Sequence, residues 1–335
     1  LRLLNNELTE YKEKTKYKEF IQWIQKQNKN KQATYWQEYL DGFDSKTMLP
    51  HDYNRDEVDS AVVSTRQLML PIRTKEKIEM LAKQHGVTFS AFMYSAWGLL
   101  LQKFNRCEDV LFGVTSSGRN AKIPGIEQMV GLFINTLPLR VRASEQLPIL
   151  DVVKQVNTTM MGRDDAEFTS LAEIKGYSQI AHVPSLFDSI VVVENYPLDQ
   201  QVGNTDALSL QEYSIFEMTN YDLTLVISEY EQVEIKAIYS SDRFSNETIG
   251  RLLTLYGRII ECMTEDVEQK VSKLSLLTLQ EEKQILEEFN DKQDEYVLYQ
   301  SIPLMFEQQV KEHPNHVALI HDDQSLTYQK LNEQA

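Results

Sequence analysis

An amide and a hydroxyl lie in the middle of an otherwise apolar stretch, "MVGLFINTLPLRV" at residues 129–141. Asn135 and Thr136 both donate and accept hydrogen bonds, so they could bind a polar ligand arm or cap a strand end locally. A strand that only packs in a core would carry apolar and β-branched residues at these positions. Gly131, near the start of the stretch, predicts a close backbone approach.

The segment "GVTSSGR" at residues 113–119 comes close to two catalytic loops without matching either. A phosphate-binding P-loop needs Lys after its second Gly, whereas Gly118 is followed by Arg119. A nucleophile elbow needs Gly-x-Ser-x-Gly, and Gly113 stands one residue too far from Ser116. We therefore interpret the segment as a strand end that enters a loop, with Arg119 in an ion-pairing or capping role.

Histidines and cysteines show no metal-binding pattern. His313 and His316 are close in sequence, but Pro314 breaks the helix that would align them. We expect surface or capping roles for all 6 histidines, and no metal. Cys107 and Cys262 show neither ligand spacing nor a disulfide framework, as is typical of a reducing cytoplasm. Both are predicted to be small buried side chains.

The acidic composition of the chain argues against two classes of binding partner. The 335 residues include 34 Lys and Arg against 50 Asp and Glu, which gives a formal net charge of −16. An acidic chain repels phosphate backbones and anionic headgroups, so neither nucleic acid nor a membrane surface is an expected partner. Since no apolar run has the length of a membrane span and no secretory signal is visible, we expect a cytoplasmic location.

Apolar spacing predicts a mixed α/β sandwich rather than a bundle or a barrel. The predicted helices cover residues 17–27, a segment capped by Thr74 and closed by Gly86, a deeply buried segment after Thr88, and a segment after Ser245. The predicted strands cover residues 109–116, 137–141 and 187–195, and a hairpin formed by "DLTLVISEY" and "VEIKAIYS". The strand at 137–141 should be an edge or half-exposed strand, because Pro138 cannot donate to a ladder.

Composition changes again towards the end of the chain. Residues 266–300 are charged and helix-prone, and we interpret them as a linker with one amphipathic helix. Residues 301–335 resume the patterning of a domain, but this segment is too short to bury a stable core alone. We expect it to be the incomplete start of a further domain.

Several stretches, taken in order, resemble the condensation domains of nonribosomal peptide synthetases. "MVGLFINTLPLRV" resembles the family's Val-Gly-x-Phe-Val-Asn-Thr signature, and "YKEFIQW" at 17–23 resembles an earlier motif with Glu19 in its acidic position. "DVLFGVTSSGRNAKIPGIEQ" and "PSLFDSIVVVENYP" also agree, and "GRDDAEFTSL" is a weaker match. The resemblance covers residues 1–265. It implies a chloramphenicol-acetyltransferase-like α/β sandwich, in which two lobes surround a tunnel for carrier-bound thioesters.

The family's catalytic motif, His-His-x-x-x-Asp-Gly, is not found here. Asp41 and Gly42 supply an Asp-Gly pair, but Trp36 and Gln37 stand where the two His would be. "YKEFIQW" follows that motif in the family, so the resemblance implies that residues 1–265 are the C-terminal part of the domain, with no catalytic residue in this chain. It places four residues at the substrate tunnel and lobe interface: Gly131, Asn135, Thr136 and Arg119.

The tail resembles the beginning of an amino-acid adenylation domain. "LTYQKL" at 326–331 falls on that family's first core motif, with matches at Leu326, Thr327, Tyr328 and Leu331 and with Lys330 in place of Glu. The resemblance implies that ATP and Mg²⁺ serve only the downstream adenylation domain and are not bound here. The order condensation, linker, adenylation is that of an elongation module.

The function implied is peptide-bond formation between aminoacyl or peptidyl thioesters. Upstream and downstream peptidyl carrier proteins would bring the thioesters on phosphopantetheine, and the adenylation domain of the same polypeptide would be a further partner. Two alternatives stay open at this point. One is a non-catalytic lobe that docks carrier proteins, and the other is an epimerization or cyclization variant of the same fold.

Overall fold

The computed structural model describes residues 15–53, 62–194, 219–277, 279–290, 301–322 and 324–335. The chain divides into two compact units, residues 1–276 and 277–335. Val267, Val271 and Leu274 are buried in the core of the first unit, which therefore continues beyond residue 265, where the sequence places the start of a linker. Parts of the predicted linker, residues 278 and 291–300, lie outside the described residues.

A mixed sheet runs through the first unit. Its strands are β1 (Val63–Met69), β2 (Asp109–Ser116), β3 (Asn135–Arg142), β4 (Ser189–Glu194), β5 (Leu223–Glu229) and β6 (Val233–Ser240). Their order is β1-β6-β5-β4-β2-β3. β4 is parallel to both β2 and β5, whereas the remaining pairs are antiparallel. β3 lies at the edge, which confirms the prediction made from Pro138.

The helices of this unit are α1 (Tyr17–Gln25), α2 (Lys29–Leu40), α3 (Ile72–His85), α4 (Phe89–Asn105), α5 (Ile149–Met161), α6 (Leu171–Gly176) and α7 (Asn246–Glu265). Thr88 caps α4 by accepting a hydrogen bond from Ala91 N at 3.1 Å, and Gly86 ends α3 at φ 65°, both as predicted. The predicted cap at Thr74 is wrong. α3 begins three residues earlier than that cap implies, at Ile72 after Pro71, and Thr74 is a buried residue of its first turn.

The sheet separates two clusters of buried side chains. Alternation along β4 shows the division, because Val191 joins the larger cluster and Ile190 the smaller one. The larger cluster also contains residues of α3, α4, α5 and α7, and α4 is buried at every position from Ala91 to Gln102. The smaller one holds Trp36 and Leu40 of α2. The prediction of an α/β fold with a deeply buried helix after Thr88 is confirmed.

A third, smaller cluster packs α1 against the connection between β2 and β3. Phe20 of α1 lies 4.6 Å from Phe133, measured between ring centroids, and Trp23 lies 4.8 Å from Phe168. Phe20 and the buried residues of this cluster hold the connection, residues 117–134, against α1 although it contains only one short 3₁₀ turn. It includes two of the four residues that the sequence assigns to a site, and the other two open β3.

The second unit begins with α8 (Leu279–Lys283), which continues into a π-helical turn at Gln284–Glu288. It then forms α9 (Ile302–Glu312), the antiparallel pair β7 (Val317–His321) and β8 (Gln324–Thr327), and α10 (Tyr328–Gln334). Within the described part of the chain, no helix combines the length and the apolar character needed to cross a membrane.

Candidate functional site at the ends of β2 and β3

Arg119 organises the middle of the β2–β3 connection. Its Nη1 donates to Ile126 O at 2.6 Å and to Met129 O at 3.1 Å. Its guanidinium also lies 4.3 Å from the centroid of the Phe133 ring, a cation–π arrangement. Arg119 therefore caps backbone carbonyl oxygens, one of the two roles that the sequence predicts for it. These contacts hold its charge against the connection itself.

Gly131 is where the connection touches α1. A Cβ built on Gly131 would overlap the ring of Tyr17, with Cγ of that ring only 2.6 Å away. The Tyr17 hydroxyl also donates to Leu132 O. Tyr17 therefore contacts the backbone of the connection with both its ring and its hydroxyl. The close backbone approach that the sequence predicts at Gly131 is therefore present, and its partner is an aromatic ring.

Asn135 joins the first residue of β3 to another segment. Its Nδ2 donates to Glu167 O and to Thr169 O, both at 2.9 Å. These acceptors lie at the end of a 3₁₀ turn, Asp164–Phe168, which follows α5. Thus one side of the Asn135 amide has a structural role that matches the local alternative left open by the sequence.

Thr136 makes a different contact. Its side chain lies near the hydroxyl of Tyr221, which lies just before β5. Burial raises the pKa of Tyr221, and the nearby Thr136 side chain opposes that shift. The Tyr221 ring in turn stacks on Phe187, with 5.6 Å between centroids. Thr136 therefore lies beside an aromatic pair of its own fold.

Glu167 is a site residue that sequence reasoning missed. Its carboxylate accepts hydrogen bonds from Ser116 Oγ at the end of β2 and from Asn120 Nδ2 in the connection. Its carbonyl oxygen is one of the two acceptors for Asn135. Glu167 thereby links both strand ends to one turn. The only signal in the sequence was its place in "GRDDAEFTSL", the weakest of the matching stretches.

The four predicted site residues thus belong to one region. Arg119, Gly131, Asn135 and Thr136 lie on the β2–β3 connection or at the start of β3. Arg119 Nη1 and Asn135 Nδ2 both donate to backbone carbonyl oxygens of the protein. The region offers shape and hydrogen bonding, and the groups described here include no histidine or cysteine.

A second polar cluster lies beside Tyr221. A cavity of about 500 Å³ there is lined by Asp188, Asp222 and Arg243, among others. Ligand atoms of His51, Asp188 and Asp222 all lie within 4.8 Å of one another, as a metal site would require. His51, for which we expected a surface or capping role, instead lies 3.2 Å from Asp222.

Both carboxylates of this cluster are already paired with cations. Lys46 Nζ lies 2.6 Å from Asp188, and Arg243 Nε lies 3.2 Å from Asp222. Two adjacent cations would oppose a metal ion at this position. We interpret the cluster as an ion-pair network that closes this end of the sheet.

The cysteines differ from expectation. Cys107 is exposed, and its thiol contacts Asp109 O at 3.3 Å, so the prediction of a buried side chain is wrong for this residue. The reason is its place in a turn after Arg106, which adopts the left-handed conformation at φ 50°. Cys262 is half-buried on α7, and burial raises the pKa of its thiol.

The four matched residues of the tail share one property in the second unit. Leu326, Thr327, Tyr328 and Leu331 are half-buried, whereas their neighbours Gln329 and Lys330 are exposed. Thr327 caps α10 by accepting from Lys330 N at 3.3 Å. The ring of Tyr328 packs 5.9 Å from that of Phe306. Within this unit the four residues have packing and capping roles.

Comparison with known protein families decides the assignment. Residues 1–286 match the family model described as "Condensation domain". The chain belongs to the condensation-domain family. The match includes every element of the first unit and the candidate site at β2 and β3.

Curated relatives agree with this family. One of the mycosubtilin synthase subunits of Bacillus subtilis is 34% identical over 325 residues, which cover 96% of this chain and 12% of that protein. Bacitracin synthase 3 of Bacillus licheniformis is 31% identical over 327 residues, which cover 95% of this chain and 5% of that protein. This condensation-domain chain therefore corresponds to a small part of each relative.

Solved structures confirm the predicted chloramphenicol-acetyltransferase-like fold. A four-domain nonribosomal peptide synthetase bound to AMP and glycine superposes with a TM-score of 0.68 at 16% identity, over 91% of this chain and 24% of that one. The first condensation domain of the CDA synthetase gives a TM-score of 0.65 at 15% identity, over 83% of this chain and 60% of that one. At these identities the likeness concerns the fold alone.

Proposed function

We propose that this chain is the C-terminal part of a condensation domain in a nonribosomal peptide synthetase. The reaction is amide-bond formation between two carrier-bound thioesters. The acceptor amine attacks the donor thioester carbonyl, a C–N bond forms, the C–S bond breaks, and the donor carrier's thiol leaves. The observation that carries the proposal is the family match over residues 1–286.

The His-His-x-x-x-Asp-Gly motif of the family would lie upstream of this chain, and its second His would orient or deprotonate the amine. The role of this chain is to form one wall of the tunnel. Support comes from the gathering of Arg119, Gly131, Asn135 and Thr136 around the ends of β2 and β3.

An apolar stripe supports the presence of a second lobe. Val130, Leu132 and Ile134 are 82%, 77% and 60% exposed, whereas the nearby Met129 and Phe133 are buried. The contacts of Arg119 and Tyr17 hold this stripe in place, so presenting it to a partner costs little ordering entropy. Exposed apolar groups held together in this way are typical of an interaction surface.

Residues 301–335 would be the start of the adenylation domain that follows. Their motif residues Leu326, Thr327, Tyr328 and Leu331 support this proposal by their match to that family's first core motif. ATP and Mg²⁺ would be used by the complete adenylation domain. The partners of the whole polypeptide would be the upstream and downstream carrier proteins with their phosphopantetheine arms.

A single-turnover condensation assay tests the proposal, with loaded donor and acceptor carriers and intact-mass detection of the product. This 335-residue chain is compared with a form extended upstream by its native sequence, and with the extended form in which the second His of the motif is replaced by Ala. We expect product from the unaltered extended form only. Product from neither form would favour a carrier-docking lobe, and product from the short chain would place the chemistry in this part.

A further inference from the structure

The cavity of about 500 Å³ beside Tyr221 lies where the parallel strands β4 and β5 begin. Asp188 and Asp222, which directly precede these strands, both line it. Its volume is within the range of about 300–1,000 Å³ that is typical of small-molecule pockets. None of the four residues that the sequence assigns to a substrate tunnel lines this cavity. It is therefore a second place on the first unit where a small molecule would fit.

Part of the cavity lining is apolar and aromatic. The rings of Phe187 and Tyr221 are stacked, with 5.6 Å between centroids and 23° between planes. Leu171 and Leu186 also line the cavity. Phe187 and Leu186 are buried, whereas Tyr221 and Leu171 are only half-buried and can contact a ligand. Because aromatic rings pack well against other flat groups, this part of the lining suits a flat apolar group.

The charged part of the lining holds more cations than anions. Among the described residues, Lys46, Lys175 and Arg243 line the cavity together with Asp188 and Asp222. Lys46 Nζ lies 2.6 Å from Asp188, and Arg243 Nε lies 3.2 Å from Asp222. Each carboxylate therefore already has a cationic partner. Lys175 is the remaining cation, and it forms no ion pair within the part of the chain that the structure describes.

Lys175 is held close to the other lysine. Its Nζ donates to Pro184 O at 3.0 Å, and the side chain is half-buried. The next residue, Ser185, donates through Oγ to Asp188 Oδ1 at 3.1 Å, the same oxygen that Lys46 approaches. Two ammonium groups thus lie along a segment of five residues that carries a single carboxylate. In a chain with a formal net charge of −16, this local excess of positive charge favours an anionic ligand.

We propose that this cavity binds a small aryl carboxylate, a molecule that joins one carboxylate to a flat apolar group. The Lys175 ammonium pairs with the carboxylate, and the exposed parts of Tyr221 and Leu171 contact the apolar group. A cationic ligand would find no unneutralised carboxylate among the described lining residues, since Asp188 and Asp222 are both paired. The proposal does not depend on the proposed condensation reaction.

The test titrates this 335-residue chain with three probes that share one ring system: 1-naphthoate, the neutral 1-naphthamide and the cationic 1-naphthylmethylammonium. Binding is followed by isothermal titration calorimetry at low ionic strength. We expect 1-naphthoate to bind most tightly and 1-naphthamide about two- to fivefold more weakly, the range for one partly exposed ion pair. About 1 M NaCl should remove this difference, because salt screens the pair.

Two variants locate the ion pair. Lys175→Gln should abolish the preference for 1-naphthoate over 1-naphthamide and leave the affinity for 1-naphthamide nearly unchanged. The matched control is Lys154→Gln, which removes the same charge from an exposed lysine of α5 that does not line this cavity and should keep the preference. The proposal is overturned if 1-naphthoate does not bind, if it binds no better than 1-naphthamide, or if both variants change the preference equally.

Discussion

Replacing Gly131 by Ala tests whether the β2–β3 connection depends on a bare backbone against α1. The added methyl would overlap the ring of Tyr17, whose Cγ lies 2.6 Å from the ideal Cβ position. Either the ring turns away, with loss of its hydrogen bond to Leu132 O and its edge contact with Phe133, or the connection shifts. Inserting one methyl into a packed site costs about 1–3 kcal/mol.

The measurement is urea unfolding followed by tryptophan fluorescence, because all 3 tryptophans lie in the first unit. With a loss of about 2 kcal/mol and a slope of about 2 kcal/mol/M, the midpoint should fall by about 1 M. The matched control is Gly176→Ala. Gly176 ends α6, and a Cβ there meets no atom within 4 Å. This control should be neutral or more stable by about 0.4–1 kcal/mol.

A double variant locates the cause. If the clash with the ring explains the loss, Gly131→Ala should cost little when Tyr17 is already Ala. The reasoning is refuted if Gly131→Ala unfolds at the wild-type midpoint, or if its cost is the same with and without the Tyr17 ring. In either case the absence of a side chain at Gly131 would not serve the contact with α1.

Two further predictions concern charges. Arg140→Lys should lower the free energy of unfolding by about 2 kcal/mol, because Arg140 is 7% exposed and binds Asp109 with two nitrogens. Arg142 is an exposed residue that pairs with the same Asp109. Arg142→Lys is the control and should change the free energy of unfolding by about 0.5 kcal/mol at most. Similar losses in urea unfolding would contradict this. Burial raises the pKa of Glu229 above its ordinary value, so the folded state binds its proton more tightly and stability falls as pH rises through that window. Glu229→Gln should therefore gain stability relative to the wild type as pH rises above the ordinary pKa of a Glu side chain, and a pH-independent difference would refute the assignment.

Local rules predicted many of the elements because their signals are local. Thr88 and Gly86 mark helix ends through their own side chain or backbone freedom, so the sequence around them suffices. The prediction at Thr74 was wrong because a Thr at a helix start is a common cap, whereas here Pro71 occupies the cap position and Thr74 is buried. The burial of Arg140 depended on Asp109 and on α2, which no window around β3 contains.

In the candidate site, too, the sequence predicted the residues with a local signal and missed the one whose contacts are distant in the chain. Gly131, Asn135 and Thr136 stood out because polar or small residues interrupt an apolar run. Glu167 did not, since its partners Ser116 and Asn120 are 51 and 47 positions away in the chain. A carboxylate in a polar stretch has no periodicity that predicts such contacts. Its role depends on how α5 returns the chain to the ends of β2 and β3.

The hydrogen bonds within the site bear on where the proposed condensation would be catalysed. Arg119 is held by two carbonyl oxygens, and the Glu167 carboxylate by two side chains. None of these groups is arranged to carry a proton to or from a reacting amine, and Asn135 presents an oxygen that only accepts. In the proposed condensation, a base from outside this site would complete the reaction. The upstream-extended form is therefore the sample that tests the proposal.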